Sequence, residues 1–210
     1  MIFKSKSEGD WIQTISGRKF YPLNPKSEDV HIQDIAYALS MRPRYNGHVK
    51  EFLHYSIAEH SVLLSQNVLR YYREQTGFDY NQKYQSMIRL WCLLHDASEA
   101  YLPDIPSPVK KCKSMNSFKK IEVNIMKVIA EHYNLEPIKQ PPIVCAVDRA
   151  ILVSEKEQCM NKQIEWPGLY NAGCLNVKIQ FLQPKEAYNL FVNTYLELIK
   201  KIEEEKNNEL

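Results

Sequence analysis

The chain has 210 residues, 44% of them apolar and 25% charged, a balance that suits one compact domain with a single sizeable core. No stretch approaches the roughly 18 consecutive apolar residues of a membrane span, and the N-terminus MIFKSKSEGDW lacks the apolar core of a signal peptide, so a soluble cytoplasmic protein with no membrane partner is expected. Five dispersed cysteines without a Cys-x-x-Cys pair argue against a disulfide framework or a thiolate zinc site, and a net charge of +2 argues against a general nucleic-acid binder.

Residues 10–21, DWIQTISGRKFY, read as two short strands around the Ser16-Gly17 turn, because glycine supplies the positive φ that a tight hairpin needs. Ile32, Ile35, Ala36 and Leu39 then recur at helical spacing, which predicts a first helix. RPRYNGH, residues 42–48, holds Pro43 and Gly47 in a polar setting and reads as a loop. From residue 55 the stripe Ile57, Ser61, Leu64, Val68 and Tyr71 predicts a long amphipathic helix, and residues 81–101 predict a second one through Trp91, Leu94 and Ser98. Pro103, Pro106 and Pro108 break that pattern, so LPDIPSPVK reads as a rigid loop. SFKKIEVNIMKVIAEHYN is helical again, Pro141-Pro142 introduces a further helix, and Pro184 opens the last. Residues 161–183 read as an irregular connection with a possible short strand in VKIQFL, and residues 203–210 as a frayed end. The expected fold is one all-α domain over residues 1–210: a small hairpin, a helical bundle whose residues 55–155 form a metal-binding core, and a tail.

Three apolar helix faces each carry a metal-ligand type of side chain. His60 falls three residues after Ile57 and four before Leu64. His95 falls four after Trp91, with Asp96 beside it, and Asp148 falls four after Val144 and three before Ile151. An isolated buried carboxylate costs several kcal/mol unless it is paired, neutralised or metal-bound, and a shared divalent cation accounts for all four residues together. Two imidazoles and two carboxylates suit zinc, manganese, cobalt or iron(II), with magnesium also open, and do not choose among them.

LLHDASEAYLPDIPSPVK, preceded by YSIAEHS and followed by AVDRAIL, resembles the HD-domain phosphohydrolase superfamily, whose ligands come in the order His, His-Asp, Asp. HDASE with DIPSPVK resembles its YfbR-like 5′-deoxynucleotidase branch in particular. The block DWIQTISGRKFYPLNPKSEDVHIQDIAYALSMRPRYNGH resembles phage-encoded members such as the DatZ-type dATP triphosphohydrolases. The resemblance covers roughly residues 10–155 and implies an HD-type helical bundle.

Carried over residue by residue, the resemblance makes His60, His95, Asp96 and Asp148 metal ligands, Glu99 the catalytic glutamate and Asp104 a second catalytic carboxylate. Arg44 matches the arginine of the family's Arg-Trp pair, with Tyr45 where tryptophan is usual; that departure bears on the sugar or base contact. Arg44 would grip a phosphate by a bidentate fork and Lys110 would add a point charge. The expected activity is hydrolysis of a deoxynucleotide, first dATP to nucleoside and phosphate, by a homo-oligomer in the cytoplasm, that of a bacterial host if the gene is phage-borne. A 5′-deoxynucleotidase on monophosphates and an HD nuclease, whose DNA patch would be Lys110, Lys111, Lys113, Lys119 and Lys120, are the alternatives, with a non-catalytic interaction protein behind them.

Overall fold

A computed structural model describes residues 10–207 except 163, 167 and 170–172. Most of the N-terminal stretch read above for a signal peptide, and the last three residues of the expected tail, lie outside them. Strands β1 (Ile12–Gln13) and β2 (Lys19–Phe20) pair antiparallel around Gly17, whose φ of 82° meets the turn's need for a left-handed residue. The hairpin is fastened twice. Asp34 accepts hydrogen bonds from the Ser16 amide and hydroxyl at 3.0 and 2.7 Å, and Phe20 stacks on Tyr101 with ring centroids 3.6 Å apart.

Among the described residues seven helices follow: α1 (Ile32–Met41), α2 (Ile57–Thr76), α3 (Gln85–Leu94), α4 (Ser107–Lys110), α5 (Asn116–His132), α6 (Pro142–Cys159) and α7 (Pro184–Asn207). The all-α bundle with its small hairpin is therefore the observed architecture. Helix α2 starts where Ser56 accepts the Glu59 amide and stops at Gly77, left-handed at φ 76° with its amide on the Arg73 carbonyl. Its stripe of Ile57, Leu64 and Val68 is fully buried against α3, while α7 crosses α1, α2 and α3, and α6 packs on α2. Burial of each such side chain contributes roughly 1.5–3 kcal/mol, which holds the site-bearing helices in register.

Four sequence expectations change. The helix predicted over residues 81–101 ends at Leu94, and a separate 3-10 turn covers Ala97–Ala100, because Asp96 leaves helical geometry at φ −103°, ψ 16°. PSPVK is not all loop, since Pro108 lies at the start of the four-residue α4, where a missing amide costs nothing. VKIQFL forms no strand. With no second strand beside it among the described residues, its amides go to side chains, Val177 to Ser154 and Ile179 to Gln158. Finally, residues 203–207 continue α7 rather than fraying.

Candidate metal centre

His60 sits fully buried on α2, and its two ring nitrogens have different tasks. Nδ1 lies 2.7 Å from the Glu155 carboxylate, an acceptor, so it carries the proton. Nε2 faces the opposite way, 3.2 Å from Asp148 Oδ1. His95, just past the end of α3, repeats the arrangement. Its Nδ1 donates to the Cys92 carbonyl at 2.8 Å, while Nε2 lies 3.1 Å from Asp96 Oδ2 and 3.9 Å from Asp148 Oδ1.

Both Nε2 atoms are buried without a hydrogen-bond partner of acceptable geometry among the described residues. An imidazole lone pair directed at a carboxylate oxygen across about 3 Å is repulsive unless a proton or a cation lies between them. His60, His95 and Asp96 offer ligand atoms within 4.8 Å of one another, and Asp148, half-buried on α6, closes the group from the third helix. Two imidazoles, each with its tautomer fixed by an outer acceptor, and two carboxylates are a donor set that fits a divalent cation. The set does not select which metal. Burial would favour a neutral His95, but Asp96 outweighs it and raises the ring to about 9. Asp96 in turn, despite its own burial, is held well below the usual carboxylate range by His95.

Behind His60 lies a residue that sequence reasoning missed. Glu155, two turns after Asp148 on α6 and fully buried, accepts from His60 Nδ1, from the Tyr55 hydroxyl at 2.7 Å, from the Tyr45 hydroxyl, and from Arg44 Nη2 at 3.2 Å. Arg44 Nε is also 3.2 Å away, and Nη1 reaches within 3.8 Å of Asp96. Burial alone would raise the Glu155 pKa, yet the Arg44 guanidinium and His60 hold it well below the ordinary range. Arg44 and Tyr45, expected to touch substrate, are thus both engaged with Glu155. Tyr45 directs its hydroxyl inward, has φ 55°, and sets its ring 5.7 Å from Trp166 at a tilt of 52°. The signal available in the sequence was the seven-residue step from Asp148 to Glu155, which puts both on one helix face.

Glu99 is buried on the 3-10 turn, whose Glu99 amide bonds the Asp96 carbonyl at 2.9 Å. A three-residue step eclipses side chains in that geometry, so Glu99 keeps to the Asp96 side although the expected α-helix is absent. Burial first, then the nearby Asp96 and Asp104, raise its pKa to about 8. Asp104 lies half-buried in the loop before α4, within the electrostatic reach of Glu99 and of Arg42, whose guanidinium donates to the Leu102 carbonyl. Lys110 is paired with Glu122 at 2.6 Å and feels both Glu99 and Asp96. All nine sequence-selected residues therefore gather around one centre, in direct contact or through a neighbour's field. Asn46 and His48, on the same loop as Arg44, are exposed.

No family model matches the chain. It is similar to the uncharacterized protein YfdR of Escherichia coli (strain K12), with 33% identity over 190 residues, 90% of this chain and 95% of that protein. It is also similar to an uncharacterized protein of Rhodobacter capsulatus, with 30% identity over 146 residues, 70% of this chain and 69% of the relative.

Proposed function

The chain belongs to the family that includes Escherichia coli YfdR and the Rhodobacter capsulatus protein, and from the centre its own residues build we propose that it is a metal-dependent deoxynucleotide phosphohydrolase. The observation that carries this reading is the convergence of two Nδ1-anchored imidazoles and two carboxylates, with the raised carboxyl of Glu99 beside them. The HD-type order of those residues supports phosphate ester hydrolysis, and dATP, cleaved to nucleoside and phosphate, is the substrate we put first.

A divalent cation held by His60, His95, Asp96 and Asp148 would supply Lewis acidity toward a phosphoryl oxygen and toward water. Glu99, its carboxyl raised by burial and by Asp96 and Asp104, gives a proton to the departing oxygen in each successive hydrolysis, the last of which frees the nucleoside. Asp104, on the neighbouring loop, takes up the proton released by the attacking water. Glu155 keeps the His60 proton on Nδ1, and Cys92 does the same for His95 through its carbonyl, so both rings stay oriented through the reaction. Arg44 and Lys110 offset negative charge on the phosphoryl group.

A monophosphate is the second reading, and one observation favours it. Arg44 is already paired with Glu155 and Lys110 with Glu122, which leaves less uncompensated positive charge than three phosphates call for. Rates on dATP and dAMP, measured side by side, separate the two. The same reading takes the enzyme as a homo-oligomer, which sedimentation would check.

The proposal is tested by Asp96→Ala, which should abolish metal binding and turnover while helix content by circular dichroism stays near wild type. A variant with normal metal content and normal rate would end it. Glu99→Ala should keep the metal and lose roughly 10²–10⁴ in kcat. An unchanged kcat would move proton transfer to another group.

A further inference from the structure

A cavity of about 540 Å³ runs away from the metal centre between α3, α5 and residues 138–140. Its volume lies within the about 300–1,000 Å³ of small-ligand sites. His95 and Asp96 of the candidate centre line it, with Lys110. The apolar part of the lining is Trp91, Val123 and Met126 of α5, and Ile138, and the charged side chains Glu122, Lys127 and Lys139 complete it. Val123 is 67% exposed and Ile138 42% exposed, so both have apolar surface free to meet a ligand. Gln140 lies at the edge, and among the described residues its amide has no partner.

These features assign the two ends of one ligand. His95 and Asp96 tie the cavity to the candidate centre, and Lys110 lies within the field of Asp96, so a phosphoryl group is best met there. Trp91, Val123, Met126 and Ile138 supply an apolar surface that cannot solvate phosphate, and of the two further cations in the lining Lys127 is paired with Glu131 at 3.6 Å while Lys139 stands between Ile138 and Gln140 in the chain. Arg44 and Tyr45, the residues that the resemblance gives to the sugar or base, are taken by Glu155.

We propose that this cavity is the nucleoside subsite: the phosphoryl group lies at Asp96 and Lys110, the base lies between Val123, Met126 and Ile138, and the Gln140 amide pairs with the base edge. The proposal rests on the phosphohydrolase reading for the identity of its ligand as a nucleotide. A side-chain amide offers a donor and an acceptor side by side, which matches the paired acceptor and donor that a base edge presents. Gln140 is then a specificity-determining residue, and Ile138 with Met126 supplies most of the affinity for the base.

Two measurements on the full, metal-loaded chain test this. The first is equilibrium binding of the four deoxynucleosides and of inorganic phosphate by titration calorimetry. The second is kcat/KM on the four deoxynucleotides. Ile138→Trp, which fills the cavity from an exposed position, should weaken deoxynucleoside binding at least tenfold while the ratio of phosphate to nucleoside affinity rises. Gln140→Leu should flatten the spread of kcat/KM across the four bases by roughly tenfold or more. Trp166→Ala probes the opposite side, against Tyr45, and should leave that spread intact.

If the spread collapses in Trp166→Ala and survives in Gln140→Leu, the base lies on the Tyr45 side and the proposal is overturned. Nucleotides cleaved with no change in either cavity variant would also overturn it while leaving the phosphohydrolase reading in place. Deoxynucleosides bound in a manner sensitive to Ile138→Trp, with no nucleotide cleaved, would retain the subsite and remove the catalytic reading. Gln140→Leu sits in a loop, so its outcome does not depend on whether the bulkier Ile138→Trp folds.

Discussion

Glu59 and Glu155 are both buried carboxylates on neighbouring helices, and each collects at least three donors, yet they have opposite electrostatic settings. Glu59 on α2 receives only backbone amides, those of Gln180, Phe181 and Leu182 at 2.7, 3.2 and 2.9 Å. It fastens the chain just ahead of α7. Glu155 on α6 receives His60, Tyr45, Tyr55 and Arg44. Burial raises the pKa of Glu59 because neutral amides only partly offset it, whereas the Arg44 cation reverses the effect at Glu155. Burial is common to both. The charge of the partners separates a carboxylate that fastens the fold from one that orients a metal ligand.

The largest expected effect is that of Glu155→Ala. It strands the Arg44 guanidinium in the interior and releases His60 Nδ1, so stability should fall by about 3–5 kcal/mol. Metal affinity should fall by roughly 10–100-fold at the same time, because the outer acceptor that fixes the His60 tautomer is gone. Denaturant unfolding and metal titration read the two separately. Glu59→Ala should come next, losing roughly 2–4 kcal/mol as three amides lose their acceptor, with metal affinity unchanged. Weakened metal binding in Glu59→Ala, or undisturbed binding in Glu155→Ala, would break the distinction between the two residues.

Replacement by the neutral amide sharpens the contrast through pH. The depressed pKa of Glu155 means that its contribution is present above the unfolded carboxyl value of about 4.3 and is lost as pH falls through the folded value. Glu155→Gln should therefore be costly at neutral pH, with the gap to wild type narrowing as the solution is acidified. The raised pKa of Glu59 has the reverse sign: the folded state binds that proton more tightly, so ionisation disfavours the fold as pH rises through the folded value. Glu59→Gln should consequently cost little at neutral pH, and wild type should gain on it in acid. Stability curves from pH 3 to 8 for both variants measure this, and curves of the same sign would show that partner charge does not govern the pair.

The candidate metal ligands were legible in the sequence, whereas neither glutamate of this comparison was. His60, His95, Asp96 and Asp148 could be picked out because helical periodicity shows which residues share an apolar face, and a polar side chain on such a face demands a partner. Glu155 obeys the same periodicity, but its partners come from residues 44, 45, 55 and 60, and no local spacing links a residue to others about 100 positions away. Glu59 was hidden for a different reason: three residues after Ser56 it matches a helix-start pattern that fully accounts for it, while its side chain bonds residues 180–182. The break of α3 before Asp96 was equally unreadable, since WCLLHDASEA holds no Gly or Pro to mark it. Tyr45 carries a task that its likeness to the family's Arg-Trp pair does not convey: its hydroxyl has the buried acceptor and its ring lies against Trp166.

The smallest expected effects divide the Glu155 network itself. Tyr55→Phe removes one neutral donor from a carboxylate that keeps Arg44, His60 and Tyr45, and should cost about 1.5 kcal/mol. Tyr45→Phe should cost no more, because Tyr45 is only half-buried and water can take the vacated position on Glu155. Neither variant touches the His60 to Glu155 bond, so metal affinity should stay within a few-fold of wild type in both. If Tyr55→Phe lowered metal affinity as far as Glu155→Ala does, orientation of His60 would depend on the whole donor set rather than on the carboxylate. The Tyr55→Phe, Glu155→Gln double variant resolves that case: additive losses place the two residues in independent roles, and a loss no larger than that of Glu155→Gln alone makes the tyrosine act through the glutamate.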